Sequence, residues 1–144
     1  METDIMGRVT VTAKVENLGD LILVQRGLLN AEQVRSIEVN DALVDTGATI
    51  LSMPKRTIQD LGLSLLRART AVTSAGTITI NLYGTARLTI QGRDCPTDVT
   101  ELPDECPVLI GQIPLESLDF VVDMRGGRVI GNPAHGGEQV LELY

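Results

Sequence analysis

The chain has 144 residues and a formal net charge of −7, and 43% of its residues are hydrophobic. That length accommodates one domain with a proper core, and the composition is that of a globular protein. The negative charge argues against a nucleic-acid surface, whose affinity comes mainly from neutralising phosphates. No apolar run approaches the ~20 residues that a membrane helix requires, and the N-terminus does not have the pattern of a signal peptide. We therefore expect one cytoplasmic domain over residues 1–144, with a core at about 7–131, and neither nucleic acid nor membrane as a partner.

The first third of the chain has the pattern of β-strands. Alternating apolar residues from Val9 to Val15, then a turn at Asn17 to Asp20 and a second apolar run, predict a hairpin. Residues 34–45 repeat this form, with Asn40-Asp41 as a tight turn. The segment between them, residues 28–35, is ambiguous between a loop and a helical turn.

The clearest helix signal lies in residues 52–63. Ser52 can cap its start, Pro54 suits its first turn, and Gly62 suits its end. A second, shorter helix-like segment covers residues 113–118.

The remaining segments again predict strands. Residues 66–91 form a long hairpin pattern that turns at Ala75-Gly76, and Gly84 offers a bend or bulge. A shorter strand follows through Val99, and another hairpin turns at Gly126-Gly127. Residues 132–144 are a tail, of which 138–144 could form a terminal strand. The fold class is therefore mainly β, with one or two short helices.

A faint repeat links two parts of this pattern. Residues 42–61 and 107–118 both run from an apolar strand through a glycine turn and further apolar residues into a helix. The domain thus has the character of two similar halves, of which only the first carries an acid at its turn.

Metal and thiol chemistry have little support. His135 is the one histidine and the chain has no CxxC pair, so a metal site is not indicated. Cys95 and Cys106 are expected to be reduced thiols in a chain without an export signal. A dyad of His135 with either cysteine is not excluded by spacing.

Asp45 interrupts two apolar segments. It directly follows Ala42 to Val44 and precedes an apolar run that reaches Leu51. An ionised carboxylate in such surroundings is costly unless it finds a partner. The triplet Asp-Thr-Gly alone is more typical of a surface turn, and the apolar context is what favours a functional role.

The stretch ALVDTGAT at residues 42–49 resembles the active-site motif of the retropepsin-like aspartic proteases. These single-lobe proteins carry a second motif of two apolar residues and a glycine, and VLIG at residues 108–111 supplies it with a helix candidate behind. Between the motifs the family places a glycine-tipped hairpin, the flap, and residues 69–84 fit in position and character. The resemblance covers residues 43–122 and implies a retropepsin-like acid-protease barrel with one or two short helices.

The resemblance also implies an aspartic endopeptidase that is active as a homodimer. Aspartic proteolysis needs two facing carboxylates, and this chain has one Asp-Thr-Gly, so the companion of Asp45 would be Asp45 of a second copy. Two such carboxylates share one proton. One activates a water molecule while the other polarises the scissile carbonyl of an extended peptide, which requires neither a metal nor another cofactor.

Roles for the neighbouring residues follow from the same resemblance. Thr46 would hydrogen-bond across the dimer, and Gly47 would let its N–H approach the Asp45 carboxylate, so the three form the catalytic set. Substrate contacts are expected around the motif and at the flap tip, from Leu43, Ala48, Ser74, Ala75, Gly76, Thr77 and Leu109. For Leu43 and Leu109 a plain core role is an equal alternative.

The chain departs from the retroviral pattern after its second motif. Retroviral members commonly have an Arg there that pairs with an Asp after the triplet, whereas this chain has Gln112, and Thr49-Ile50 replace the acids. A catalytically silent dimerisation or peptide-binding module is therefore the alternative function. An unrelated small β domain with a turn aspartate is a third interpretation.

Overall fold

A computed structural model describes residues 8–140, and strands dominate them. The bounds in chain order are β1 (Thr10–Asn17), α1 (Leu18–Gln25), β2 (Ser36–Val44), β3 (Leu51–Pro54), α2 (Lys55–Asp60), β4 (Ser64–Thr73), β5 (Gly76–Ile90), β6 (Arg93–Leu102), β7 (Leu109–Ile110), α3 (Gln112–Ser117), β8 (Phe120–Asp123) and β9 (Arg128–Gly131). Short 3-10 turns cover Ala31–Gln33 and Pro133–His135. The predicted mainly β class with short helices is confirmed.

The main sheet has the strand order β1-β2-β7-β3-β6-β5-β4, and β1 also pairs with β5. Most neighbours are antiparallel, but β2 runs parallel to β7 and β3 runs parallel to β6. The two-residue strand β7 therefore lies between β2 and β3, the strands that flank the Asp45 loop. Strands β8 and β9 form a separate hairpin.

The core is formed by the strands together with helices α2 and α3, and α1 contributes no side chain to it. Its fully buried side chains come from β1, β2, β3, β5, β6 and β7, from α2 and α3, and from the residues that directly follow these two helices; the largest are Leu51, Met53, Ile58, Leu61, Leu88, Ile90, Ile110, Leu115 and Leu118. Each such side chain contributes about 1.5–3 kcal/mol relative to exposure. Within residues 8–140, no helix has the length and apolar character needed to cross a membrane.

The prediction of a hairpin after Val15 is wrong, because the second apolar run is helix α1. The Asn17 side chain accepts a hydrogen bond from the Asp20 N–H at 3.0 Å and caps the helix. The buried Asp20 carboxylate accepts three hydrogen bonds from Arg35, at 2.9 to 3.0 Å. A helix cap and a long-range ion pair thus make this segment helical. The alternation of apolar residues in the sequence reveals neither of them.

The tight turn predicted at Asn40-Asp41 is also wrong. Both residues lie within the continuous strand β2, where the pairing with β1 shifts register. Val11 pairs with Ala42 and Ala13 pairs with Val39, so β2 accommodates one extra residue as a bulge. Exposed turn-forming residues fit a bulge as well as a turn, because both leave backbone groups open to solvent.

Helix α2 was predicted in the right place, within residues 52–63, but with the wrong cap. Ser52 lies in β3, where its hydroxyl is 2.6 Å from that of Thr100, and α2 begins at Lys55. Gly62 follows the helix with φ +66°, as a helix stop requires.

The long hairpin predicted over residues 66–91 is confirmed as β4 and β5, and the hairpin around Gly126-Gly127 as β8 and β9. The pairing of β5 with β6 shifts between Tyr83 and Ala86, so Gly84 lies at the predicted irregularity. The possible terminal strand at 138–144 is not seen in residues 138–140, and residues 141–144 lie outside the described residues.

Candidate active site

Asp45 lies at the carboxyl end of β2, where the chain leaves the sheet and forms a loop to β3. Its N–H donates to the Ile110 carbonyl oxygen at 3.0 Å, and its own carbonyl oxygen accepts from the Ala48 N–H at 3.0 Å. The backbone of Asp45 is thereby tied to β7 on one side and to its own loop on the other. The residue itself is half-buried, while Thr46 and Gly47 are exposed.

The Asp45 carboxylate is oriented by the loop. Its Oδ1 accepts a hydrogen bond from the Gly47 N–H at 2.9 Å. A Cβ at Gly47 would stand 3.2 Å from the same oxygen, which is a tight contact. Within residues 8–140 the structure gives this carboxylate no ion pair, so the second carboxyl oxygen is available to another group.

The start of α3 holds the Asp45 loop in place. Three successive N–H groups donate to three successive loop carbonyls: Gly111 to Ile50 at 3.1 Å, Gln112 to Ala48 at 2.9 Å and Ile113 to Thr49 at 3.0 Å. The two motifs recognised in the sequence, ALVDTGAT and VLIG, are therefore joined by backbone hydrogen bonds. Sequence reasoning found both motifs but not these bonds, which carry no side-chain signal.

Gln112 does not take the place of the missing ion pair. Its side-chain amide donates to Glu116 Oε1 at 3.0 Å, within α3 itself. Only its backbone N–H supports the Asp45 loop.

Leu43 and Leu109 are partners in the parallel pairing of β2 with β7. Directly paired residues place their side chains on one face of a sheet, so these two leucines are neighbours. Both are half-buried, as is Ala48. Leu43 lies on β2, two residues before Asp45, and Leu109 lies on the neighbouring strand β7; their role in binding substrate stays a prediction.

The tip of the β4–β5 hairpin is formed by Ser74 and Ala75, between the paired residues Thr73 and Gly76. The Thr73 hydroxyl donates to the Gly76 carbonyl oxygen at 2.8 Å and accepts from the Ala75 N–H at 3.2 Å. Gly76 has φ +122°, which favours glycine at that position. The whole tip, including Thr77, is exposed; Thr73, which braces it, was not among the predicted site residues.

An open cleft of about 310 Å³ separates the hairpin from the Asp45 loop. Its loop side consists of Thr49 and Ile50, and its other lining residues are Arg69, Thr70, Ala71, Ile80, Leu82 and Thr100. The predicted residues Asp45 to Ala48 and Ser74 to Thr77 are close in the chain to residues that line this cleft, but they do not line it themselves. The residues that line it were not predicted, although the shared face of Ile80 and Leu82 was visible as alternation along the chain.

Two of the groups considered for thiol or metal chemistry, His135 and Cys95, have a partner or a buried position of their own. His135 Nδ1 lies 2.6 Å from Asp119 Oδ2, and the hydrogen bond from His135 holds the pKa of that carboxyl below its usual range. Burial raises the pKa of the Cys95 thiol to about 11, which keeps it protonated at neutral pH. Within residues 8–140, no three His, Cys, Asp or Glu side chains are grouped as a metal site would require.

The mainly β fold, with an Asp-Thr-Gly loop supported by an apolar strand and a short helix, defines a retropepsin-like protein. The profile of the gag-polyprotein putative aspartyl protease family matches residues 33–123, which is more than half of the chain. The chain therefore belongs to this family. Among curated proteins, none matches the sequence.

The fold can also be set beside a solved structure. The solution structure of the simian foamy virus (mac) protease is 17% identical in sequence and superposes with a TM-score of 0.48. The match covers 76% of this chain and 93% of that chain.

Proposed function

We propose that this protein is an aspartic endopeptidase whose active site forms between two copies of the chain, each contributing Asp45. The observation that carries this proposal is the half-buried Asp45, oriented by Gly47 and fixed through its loop to the start of α3. A catalytic acid needs this kind of rigid support, because small displacements cost large factors in rate.

The need for a second copy follows from the contents of one chain. The sequence has one Asp-Thr-Gly, and in residues 8–140 the Asp45 carboxylate has no ion-pair partner. The exposed Thr46 and Gly47 beside it leave this edge of the fold open to a symmetric contact. Thr46 would then bridge the two loops across the two-fold axis.

In the assembled site the two carboxylates hold one proton between them, because two ionised groups so close together repel strongly. The ionised member acts as general base on a water molecule that attacks the scissile carbonyl carbon. The protonated member donates to the carbonyl oxygen and then supports proton transfer to the leaving amine. The chain's own residues supply this chemistry without a cofactor.

The β4–β5 hairpin acts as the flap in this proposal. An extended peptide in the cleft between the hairpin and the Asp45 loop pairs by main-chain hydrogen bonds, as edge strands do. The tip residues Ser74 to Thr77 close over the peptide, and Leu43, Ala48 and Leu109 contact its side chains near Asp45.

The second candidate is a catalytically silent module that dimerises or binds peptides. It is favoured by the absence of the Arg–Asp ion pair of retroviral members: the uncharged Gln112 stands at the Arg position, and only backbone hydrogen bonds tie this part of α3 to the Asp45 loop. The two candidates differ in what happens to a bound peptide: an endopeptidase cleaves it, whereas a silent module releases it intact.

The decisive experiment compares wild type with Asp45→Asn on a denatured protein substrate between acid and neutral pH, with and without a pepstatin-type inhibitor. The Asn variant keeps the shape of the side chain and removes the shared proton. We expect inhibitor-sensitive cleavage by wild type and a loss of several orders of magnitude in the variant, which should remain folded. Equal cleavage by both proteins would refute the mechanism, and no cleavage by a wild type that still binds peptides would favour the silent module.

A further inference from the structure

The wall of the cleft opposite the Asp45 loop includes a basic residue. Arg69, on β4, lines the cleft together with Ile50, Ile80 and Leu82. In the hairpin register, Arg69 pairs with Ile80 and Arg67 pairs with Leu82. Directly paired side chains lie on one face, so both arginines share the hairpin face that bears these apolar residues.

The charge of Arg69 has no partner among the described residues. Within residues 8–140 it forms no ion pair, whereas Arg35, Arg87 and Arg128 each pair with an acid. Its side chain is exposed at the mouth of a cleft whose walls, Ile50, Ile80 and Leu82, are half-buried or buried. A cation at the rim of an apolar cleft is suited to a ligand that is apolar near its backbone and anionic at its end.

Resting on the proposed function, we propose that Arg69 is a specificity-determining residue that selects substrates with a glutamate side chain in this cleft. The two methylene groups of a glutamate pack against Ile50 and Ile80, and its carboxylate reaches the Arg69 guanidinium. Guanidinium and carboxylate are complementary in charge and in fork geometry. Glutamine has the same length without the charge, so it fills the same space and lacks the ion pair.

The size of the effect follows from the exposure of Arg69. An ion pair at an accessible site has a modest energy and is screened by salt, but the bound peptide covers part of the cleft. We expect wild type to prefer Glu over Gln about three- to tenfold in kcat/KM at one substrate position, and the preference to shrink as salt is added.

The test uses a mixed peptide library that carries Glu, Gln or Lys at each position in turn, with cleavage rates followed for wild type and variants. Arg69→Gln should abolish the preference for Glu, and Arg69→Glu should reverse it in favour of Lys. The matched control is Arg125→Gln, which removes the same charge from the exposed turn between β8 and β9 and should leave the preference unchanged. The proposal would be overturned if wild type cleaved Glu and Gln peptides at equal rates whatever the substituted peptide position. A preference for Glu that survives Arg69→Gln would overturn it as well.

A binding measurement separates this proposal from the proteolytic one. Fluorescence anisotropy of labelled Glu and Gln peptides is measured on Asp45→Asn, with and without Arg69→Gln. Tighter binding of the Glu peptide that depends on Arg69 would support the selectivity of the cleft; if wild type also cleaves neither peptide, the proposed peptidase activity is rejected while the selectivity stands. Peptides that bind without any charge preference would reject the role of Arg69, whether or not wild type cleaves them.

Discussion

Gly111 and Ile50 approach each other so closely that no side chain fits between them. The Gly111 N–H donates to the Ile50 carbonyl oxygen at 3.1 Å, and a Cβ at Gly111 would stand 2.6 Å from that same oxygen. The backbone of Thr49 and Ala48 lies equally near, at 2.6 and 2.7 Å. The glycine of the second motif therefore allows α3 to reach the loop that carries Asp45.

This contact predicts the effect of Gly111→Ala. The added methyl group meets backbone atoms, which cannot rotate away, so the loop and α3 must separate. We expect a loss of about 1–3 kcal/mol in the free energy of unfolding, as for overpacked sites, together with reduced peptidase activity. Denaturant unfolding and cleavage rates measure the two effects. The control is Gly126→Ala, whose Cβ would have movable side-chain atoms of Asp123 and Arg128 as its nearest neighbours; equal losses in both variants would contradict the close-approach argument.

A site built from two chains predicts that activity depends on concentration. Below the dimer dissociation constant, the specific activity should fall on dilution, because the fraction of chains in dimers falls. Sedimentation at the same concentrations should show the dimer giving way to monomer. Mixing wild type with excess Asp45→Asn should lower activity further, as mixed dimers form. A monomer with full specific activity would exclude the shared site.

Ala48 predicts the position of the pH optimum. Pepsin-like enzymes carry a hydroxyl residue after Asp-Thr-Gly, which can donate to the carboxylate and favour its charged form. Ala48 has no such donor, so we expect a bell-shaped profile of kcat/KM centred at roughly pH 5–6.5, between the two macroscopic steps of the carboxylate pair. Ala48→Ser should move the profile toward acid, whereas Ala134→Ser, on an exposed turn, should not. Coincident profiles for wild type and Ala48→Ser would show that this position does not set the optimum.

The pairing of Asp20 with Arg35 predicts an acid-sensitive contribution to stability. The side-chain hydrogen bonds from Arg35 hold the pKa of the Asp20 carboxyl below its usual value, although burial opposes them. A group with a lowered folded pKa stabilises the fold above its unfolded pKa of about 3.9, and this contribution disappears as the pH falls through the folded value.

The variant that tests it is Asp20→Asn. At neutral pH we expect a loss of about 1–3 kcal/mol in the free energy of unfolding, because Arg35 loses hydrogen bonds to a charged acceptor. The difference between wild type and variant should narrow below about pH 4. Asp60→Asn removes an exposed carboxylate at the end of α2 and should have little effect at any pH. A difference that does not change with pH would show that the charge of Asp20 is not what stabilises α1.

The local patterns of the sequence were sufficient for several elements. Alternation and glycine turns placed the β4–β5 and β8–β9 hairpins, because both depend on contacts between residues close in the chain. The Asp-Thr-Gly triplet between apolar segments, with VLIG behind it, indicated the family that the profile match shows. The hairpins and the two motifs each depend on residues that are consecutive or close in the chain, so they can be recognised in a single sequence.

The tertiary structure decided what depends on distant residues. Helix α1 replaces a predicted strand because the carboxylate of Asp20 pairs with Arg35. The Asp45 loop is attached to the start of α3 at Gly111 by backbone hydrogen bonds, which no residue type in the sequence predicts. The cleft brings Ile50 of the loop to Arg69 of the hairpin only once β3, β6, β5 and β4 are assembled. The sequence by itself thus indicated the family, since the signal for a family lies in residue types and short motifs. The order and register of the strands decided which side chains face the Asp45 loop across the cleft. Strand pairing brings together residues that are far apart in the chain, and a single sequence gives no sign of such contacts.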